Sequence, residues 1–224
     1  MIRILPLALM LTATAAGAQS GGRRFDVGGF DAVELASSDA VRVVAGGAFS
    51  VTATGDPRAV AALAITVRGG TLRVDRTPGR HADKGATVTV TMPALRMATL
   101  SGSGSIRADR VAGPAFTGHL GGSGGMTLTG MKVARASFDL DGSGSVVADG
   151  SAGAVAIDLG GSGRIDTRKL TTAAVTIDMG GSGSIAATAT ATAAVRAGGS
   201  GVVRVGGGAR CDVRKGGSAI VHCG

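Results

Sequence analysis

The sequence predicts an all-β protein folded as a right-handed parallel β-solenoid, also called a β-helix, with ~18–20 residues per coil. Three observations predict this fold. A Gly-Ser-Gly motif recurs at nearly constant spacing, apolar residues alternate on both sides of each motif, and the chain is rich in glycine and in small or β-branched residues, with 40 glycines among 224 residues. The right hand follows from the strong preference of parallel crossovers for that hand.

The Gly-Ser-Gly motif marks one corner of each coil. Its serines lie 18 to 20 residues apart, and the last copy is a degenerate Gly-Ser-Ala. Glycine permits a positive φ or a close approach between coils, and we expect each serine to pass a hydroxyl hydrogen bond up the stack. The predicted corner residues are Gly102, Ser103, Gly104, Gly122, Ser123, Gly124, Gly142, Ser143, Gly144, Gly161, Ser162, Gly163, Gly181, Ser182, Gly183, Gly199, Ser200, Gly201, Gly217 and Ser218.

Apolar residues recur at the same odd offsets from each serine, which is the pattern of strands with one buried face. Stacked coils place equivalent strands ~4.8 Å apart, so each apolar offset should form a ladder inside the solenoid. Three residues before the serine lie Leu100, Leu120, Leu140, Leu159, Met179 and Ala197, three after it lie Ile106, Met126, Val146, Ile165, Ile185 and Val203, and five before it lie Ala98, Gly118, Phe138, Ile157, Ile177, Val195 and Val213.

The chain divides into a signal peptide at 1–18, a flexible N-terminus at 19–24, an N-terminal β part at 25–97 and the repeat solenoid at 98–224. The part at 25–97 alternates like strands but lacks the corner motif, and we expect it to form the first coils and a cap. Asp56 and Pro57 predict the start of a short helix over 58–63, and 76–85 is predicted to be a flexible loop.

The first residues predict export. Arg3 precedes an apolar stretch, and Ala16-Gly17-Ala18 fits a signal-peptidase site. The stretch is too short for a membrane span, so we expect a mature protein in the periplasm, outside the cell or on its surface.

The amino-acid composition limits the classes of binding partner that we expect. The chain has no Trp or Tyr, and nucleic-acid sites usually stack bases on aromatic rings, so nucleic acid is not expected. The formal charge of +8 would attract an anionic glycan and also aids solubility. An envelope protein is the other candidate partner, the oligomeric state stays open, and no cofactor is predicted.

Enzyme motifs lack their structural context. Residues 121–125 match G-x-S-x-G, but that nucleophile elbow requires a strand-to-helix turn, whereas this copy is one of the repeated corners. His81, His119 and His222 show no zinc-like spacing. We therefore predict neither catalytic residues nor a metal site.

Asp139, Asp158 and Asp178 share the offset four residues before the serine, which should face solvent. They would stack as a column of carboxylates, the best candidate for a ligand surface. Two accounts of their repulsion stay open: a bound divalent cation such as calcium, or the simpler compensation by Arg196 together with solvation.

Cys211 and Cys223, the only cysteines, fall at inward offsets of the last coil. Because the expected compartment is oxidising, we predict a disulfide that fastens this end and contributes on the order of 3 kcal/mol.

The order of several short motifs resembles the auto-transporter adhesin head GIN domain family. The matching segments are 25–33, 49–56, 69–74 and 88–95, followed by 100–104 and the later corners. The resemblance implies a β-helical envelope domain, adhesive or scaffolding, without catalytic residues. The leading function is therefore non-enzymatic binding through a stacked surface. The alternatives are a protein that binds or processes polysaccharide and a periplasmic domain that binds a signalling partner.

Overall fold

A computed structural model describes residues 22–79 and 85–224, which are almost entirely strand. The predicted signal peptide, part of the segment at 19–24, and residues 80–84 of the predicted loop, with His81, lie outside the described residues. The elements are β1 (Arg23–Phe25), β2 (Ala32–Leu35), β3 (Ala40–Ala45), β4 (Ser50–Gly55), α1 (Pro57–Ala62), β5 (Leu63–Arg68), β6 (Thr71–Arg76), β7 (Ala86–Met92), β8 (Met97–Leu100), β9 (Ser105–Asp109), β10 (Ala112–Leu120), β11 (Gly125–Leu140), β12 (Ser145–Leu159), β13 (Arg164–Met179), β14 (Ser184–Ala197), β15 (Val202–Gly206), β16 (Arg210–Lys215) and β17 (Ile220–Cys223).

Strands β10 to β14 stack in parallel and in register, as the repeat predicts. Leu120 pairs with Leu140, and Leu140 pairs with Leu159. The ladder continues through Met179 to Ala197, and all five residues are at most 2% exposed. Each side chain is covered by its equivalents in adjacent coils, so the apolar core is continuous along the stack. The predicted parallel β-solenoid is confirmed.

Each repeat coil has three sides. In β11, buried residues alternate at 126 and 128, at 131 and 133, and again at 136, 138 and 140. Between these groups the buried positions change from even to odd numbers and back, because the strand bends there. Gly130 has a φ of 60° at the first bend. The Gly-Ser-Gly corner supplies the third bend.

The corner glycines are required by the close approach of successive coils. A Cβ on Gly122 would collide with the carbonyl oxygen of Gly102, and a Cβ on Gly142 would collide with that of Gly122. None of the corner glycines from Gly102 to Gly201 has a positive φ, so steric clearance between coils, and not an unusual backbone conformation, explains them.

The corner serines do not form the expected hydroxyl ladder. Ser103, Ser143 and Ser182 are exposed, and no hydrogen bond links successive corner hydroxyls in the described coils. Backbone hydrogen bonds join the corners instead, such as that from the N–H of Ser145 to the carbonyl oxygen of Gly124, at 3.0 Å. The expectation was wrong because the tight corner turns the serine side chain outwards and leaves the backbone of the two coils in contact.

The N-terminal strands extend the solenoid and cap it, as expected, but their order in space differs from their order in the chain. Strand β2 pairs in parallel with both β6 and β8, and β3 pairs in parallel with both β7 and β9. The rung of β2 and β3 therefore lies between the β6–β7 rung and the first repeat coil. Antiparallel strands β4 and β5 cover the outer edges of β7 and β6, and β1 pairs with β4.

Helix α1 begins where the sequence predicts. The Asp56 carboxylate accepts hydrogen bonds from the N–H groups of Arg58 at 2.9 Å and Ala59 at 3.2 Å, and Pro57 occupies the first turn. Capping of this kind satisfies N–H groups that lack partners within the helix.

The corner of the β2–β3 rung contains a buried carboxylate. Asp39, whose side chain is fully buried, accepts hydrogen bonds from the guanidinium of Arg76 at 2.7 and 3.0 Å, from the N–H of Ala86 at 2.8 Å and from the Ser37 hydroxyl at 2.7 Å. Burial raises the pKa of Asp39, but the hydrogen bonds from Arg76, Ala86 and Ser37 outweigh it and hold the pKa below its ordinary value.

The last coil is much less buried than the coils before it. Val213 is 38% exposed although its offset predicts an inward side chain, because no further coil covers it among the described residues. Cys211 and Cys223 are joined as a disulfide with their Cα atoms 6.5 Å apart, which links β16 to β17. Within the ranges that the structure describes, no helix is long and apolar enough to cross a membrane.

Candidate functional site: a column of acidic side chains

Three aspartates stack on one outer side of the solenoid. Asp139 on β11 is in register with Asp158 on β12, which is in register with Asp178 on β13. We call these three residues the acidic column. Parallel pairing sets neighbouring equivalent residues ~4.8 Å apart, so the carboxylates interact along the column.

Each end of the acidic column has a nitrogen-bearing side chain beside it in the same register. The Nδ1 atom of His119 lies 3.2 Å from a carboxylate oxygen of Asp139. At the other end, a guanidinium nitrogen of Arg196 lies 3.4 Å from a carboxylate oxygen of Asp178. The predicted contact with Arg196 is therefore present in the structure, and both ends are partly open to solvent.

Asp158, at the centre of the acidic column, has no ion pair with any described residue. Burial raises its pKa, and the negative charges of Asp139, Asp178 and Asp141 raise it further. The direction of this shift means that the ionised column carries an unfavourable interaction at its middle member.

One end of the acidic column offers a mixed set of metal ligands. His119, Asp139 and Asp141 each present a ligand atom, and these atoms lie within 4.8 Å of one another. In the sequence, His119 shows no zinc-like spacing, and no metal site was predicted there. Its offset, shared with Asp139 one coil later, was the signal that could have placed it at the column.

In the described residues, the G-x-S-x-G match does not have the surroundings of a nucleophile elbow. Gly121–Gly125 forms a corner between β10 and β11, so the strand-to-helix turn of a nucleophile elbow is absent there. Ser123 lines an open groove with other corner residues, among them Ser143 and Ser162, and in the described structure its hydroxyl bonds neither a histidine nor a carboxylate. A nucleophilic serine needs such a base within hydrogen-bond reach.

Solved structures share this fold. A putative adhesin from Bacteroides fragilis matches with a TM-score of 0.82 at 18% identity, over 92% of this chain and 97% of that chain. A putative lipid binding protein from Parabacteroides distasonis matches with a TM-score of 0.67 at 16% identity, over 91% and 96% of the two chains. A putative adhesin from Parabacteroides merdae matches with a TM-score of 0.67 at 17% identity, over 92% and 97%. Identities this low establish the fold alone.

Sequence comparison identifies the family. No curated protein matches the chain significantly. A family model does match it, over residues 29–209, a range that takes in the N-terminal rungs as well as the repeat coils. The resemblance carried by the ordered motifs is thus confirmed, and the chain belongs to the family described as putative auto-transporter adhesin, head GIN domain.

Proposed function

We propose that this protein is an exported, non-catalytic, adhesin-like domain that binds an envelope protein through the side of the solenoid that carries the acidic column; an anionic glycan, the alternative partner, would instead be attracted to its positively charged surfaces. The observation behind the proposal is the in-register stacking of ionisable side chains on successive coils, from His119 through the three aspartates to Arg196. Such a surface presents fixed, regularly spaced hydrogen-bonding groups of both charge signs.

A rigid, stacked surface suits binding. The side chains of Asp139 and Asp178 are 43% and 48% exposed, and the strands that carry them are joined to both neighbouring coils, so a ligand would meet groups already held in place. Preorganisation of this kind reduces the entropy lost on association. Membership of an adhesin-head family supports a binding role.

Export and charge support an envelope location. The proposed signal peptide at 1–18 would deliver the mature chain beyond the inner membrane. The chain's net positive charge would raise its local concentration near anionic envelope polymers, while the column side determines the contacts made.

An adhesion assay tests the proposal. Beads coated with the mature protein would be applied to surfaces carrying envelope proteins, acidic polysaccharide or anionic lipid vesicles, the last because one structural neighbour is named as a lipid binding protein. We expect the triple variant Asp139→Asn, Asp158→Asn and Asp178→Asn to lose most of its adhesion to envelope proteins, whereas adhesion to the anionic surfaces should not fall, because the variant is more positively charged.

The matched control changes three carboxylates elsewhere on the molecule. Asp75, Asp109 and Asp166 each pair with an arginine outside the acidic column, so their replacement by Asn alters net charge equally. Equal adhesion by the two triple variants would contradict the proposed surface. Release of reducing sugar or unsaturated products from an acidic polysaccharide would contradict the non-catalytic part and favour a polysaccharide-processing enzyme.

A further inference from the structure

The two ends of the solenoid differ in whether further strands cover their outer edges. At the N-terminal end, antiparallel strands β4 and β5 pair with the outer rung. At the other end, β16 pairs with β14 and β17 pairs with β15, and neither pairs with any further described strand. In residues 85–224, no strand or helix covers the outer edges of β16 and β17. An uncovered edge of parallel strands is a ready template for a further strand.

The backbone directions at this edge follow from the hydrogen bonds to the preceding coil. The N–H of Gly216 bonds to the carbonyl oxygen of Ala197, and the N–H of Ile220 bonds to that of Gly201. Because successive residues of a strand direct their backbone groups to opposite edges, the N–H and C=O groups of Val213, Lys215 and Val221 point away from the solenoid. These groups can form hydrogen bonds with an added strand.

Apolar side chains are exposed beside these backbone groups. Val213 is 38% exposed and Ile220 is 51% exposed, and both are among the few large apolar residues left uncovered. The Cys211–Cys223 disulfide holds β16 and β17 together at this end. The edge is thus kept extended without a capping element, which lowers the entropic cost of adding a strand.

The charges at the edge determine which strand fits. Arg214 is in register with Arg196 of the coil before, so two guanidinium groups are adjacent in one column. Arg210 and Lys215 add further positive charge on β16, and the one carboxylate, Asp212, lies 3.5 Å from Arg214, so the strand keeps a net positive charge. A second copy pairing β16 with itself would place two strands of net positive charge side by side, which is unfavourable. A strand with acidic residues on the side of Arg214 would instead complement this charge.

We propose that the open C-terminal edge formed by β16 and β17 binds an extended acidic segment of a partner protein as an additional strand. Alternate residues of that segment are apolar and cover Val213 on the inner side. The residues between them are Asp or Glu and lie beside Arg214. Main-chain hydrogen bonds supply affinity, and the charges select the sequence.

Labelled synthetic peptides test this interaction by fluorescence anisotropy. One peptide alternates Val with Asp, and a second of equal length alternates Val with Lys. We expect the mature protein with its disulfide intact to bind the acidic peptide and not the basic one. We expect raised salt to weaken binding, because the paired charges are exposed to solvent.

Two edge variants and one control distinguish strand addition from general attraction. Val213→Pro removes an outward N–H donor, which an edge strand tolerates, and the double variant Arg214→Glu with Lys215→Glu reverses the local charge. Both should bind the acidic peptide at least about tenfold more weakly. The control, Arg107→Glu with Arg135→Glu, makes the same change in charge on exposed strand residues away from this end and should bind like the parent protein.

Equal binding of the two peptides, or unchanged binding by Val213→Pro with circular dichroism like that of the parent, would overturn the proposal. Sedimentation of the parent protein as a dimer that Val213→Pro dissociates would also overturn it, because the edge would then pair with a second copy.

Discussion

Two regions of the molecule turn the same corner by different means. In the repeat coils, paired glycines such as Gly122 and Gly142 let one backbone rest against the next. In the β2–β3 rung, the segment 37–39 takes the equivalent position, and the carbonyl oxygens of Ser37 and Asp39 face Gly102 and Gly104. There the corner is fastened by the buried Asp39 carboxylate. The repeat corners depend on steric clearance between backbones, whereas the corner of the β2–β3 rung depends on a buried carboxylate that accepts several hydrogen bonds.

The largest loss of stability is expected at the corner of the β2–β3 rung, where Asp39 is buried. Asp39→Ala removes the buried carboxylate that accepts hydrogen bonds from Arg76, Ala86 and Ser37, and we expect a loss of about 4 kcal/mol in the free energy of unfolding. Denaturant titration measures it. As control, Asp31→Ala breaks an exposed pair with Arg96 and should cost under about 1 kcal/mol. Equal losses in the two variants would contradict a special role for the buried pair.

The same corner should respond to pH. Because the pKa of Asp39 is lower in the folded than in the unfolded chain, its stabilisation is present above the unfolded pKa of about 3.9 and is lost as pH falls through the folded value. Asp39→Asn should remove this part of the acid dependence, which denaturant titrations over a range of pH would detect.

The next largest loss of stability is expected at the Gly-Ser-Gly corner. Gly142→Ala places a methyl group against the carbonyl oxygen of Gly122, and since neither backbone can move without breaking the ladder, we expect a loss of about 3 kcal/mol. Gly180→Ala is the matched control, because a Cβ there meets no atom within 4 Å. Thermal melts compare the two. A Gly142→Ala variant as stable as Gly180→Ala would rule out steric clearance as the reason for glycine.

A smaller and local effect is expected at the open end. Removing the disulfide by Cys211→Ser and Cys223→Ser should cost about 2 kcal/mol, because the link restricts only the last coil. Hydrogen exchange should quicken in β16 and β17 and stay unchanged in β11. Detection of two reactive thiols in the unreduced parent protein would contradict the bridge.

The smallest effect concerns the acidic column. The pKa of Asp158 is raised in the folded chain, so its contribution favours the folded state below the unfolded pKa of about 3.9 and is lost as pH rises through the folded value. Asp158→Asn should therefore stabilise the protein at neutral pH by under about 1 kcal/mol, since the group is exposed. Asp109→Asn, which loses a contact with Arg42, should not stabilise.

Calcium distinguishes the two accounts of the column. If Arg196 and solvation compensate the charges, millimolar calcium leaves the thermal midpoint of the parent protein unchanged, and that is the expected result. A rise in midpoint that Asp158→Asn abolishes would favour a bound cation.

The regular coils were predictable from the sequence because their signal repeats. The serine spacing located every corner from Ser103 to Ser200, and the offsets identified ladders such as Leu120 to Ala197. The disulfide partners followed from there being two cysteines and from the expectation of an oxidising compartment. The column followed from the shared offset of the three aspartates, although the place of His119 beside Asp139 was missed.

The irregular rungs were not predictable in the same way. No repeat signal places β2 between β6 and β8, because that order depends on contacts between residues far apart in the chain. Asp39 and Arg76 are 37 residues apart, and neither lies in a recognisable motif. The direction of the corner serine side chains depends on how tightly the backbone turns. Val213 is exposed because no further coil of the described structure covers it.

The glycine corners also determine how such a molecule can change in length. Each described repeat coil pairs with the coil before it and the coil after it, and none of the corner glycines from Gly102 to Gly201 has a positive φ. Duplication of a complete unit, for example from Ser143 to Gly161, would therefore renew every ladder, whereas insertion of a few residues would put all later rungs out of register. Evolution can thus vary the reach of this domain in whole coils while leaving both of its ends intact.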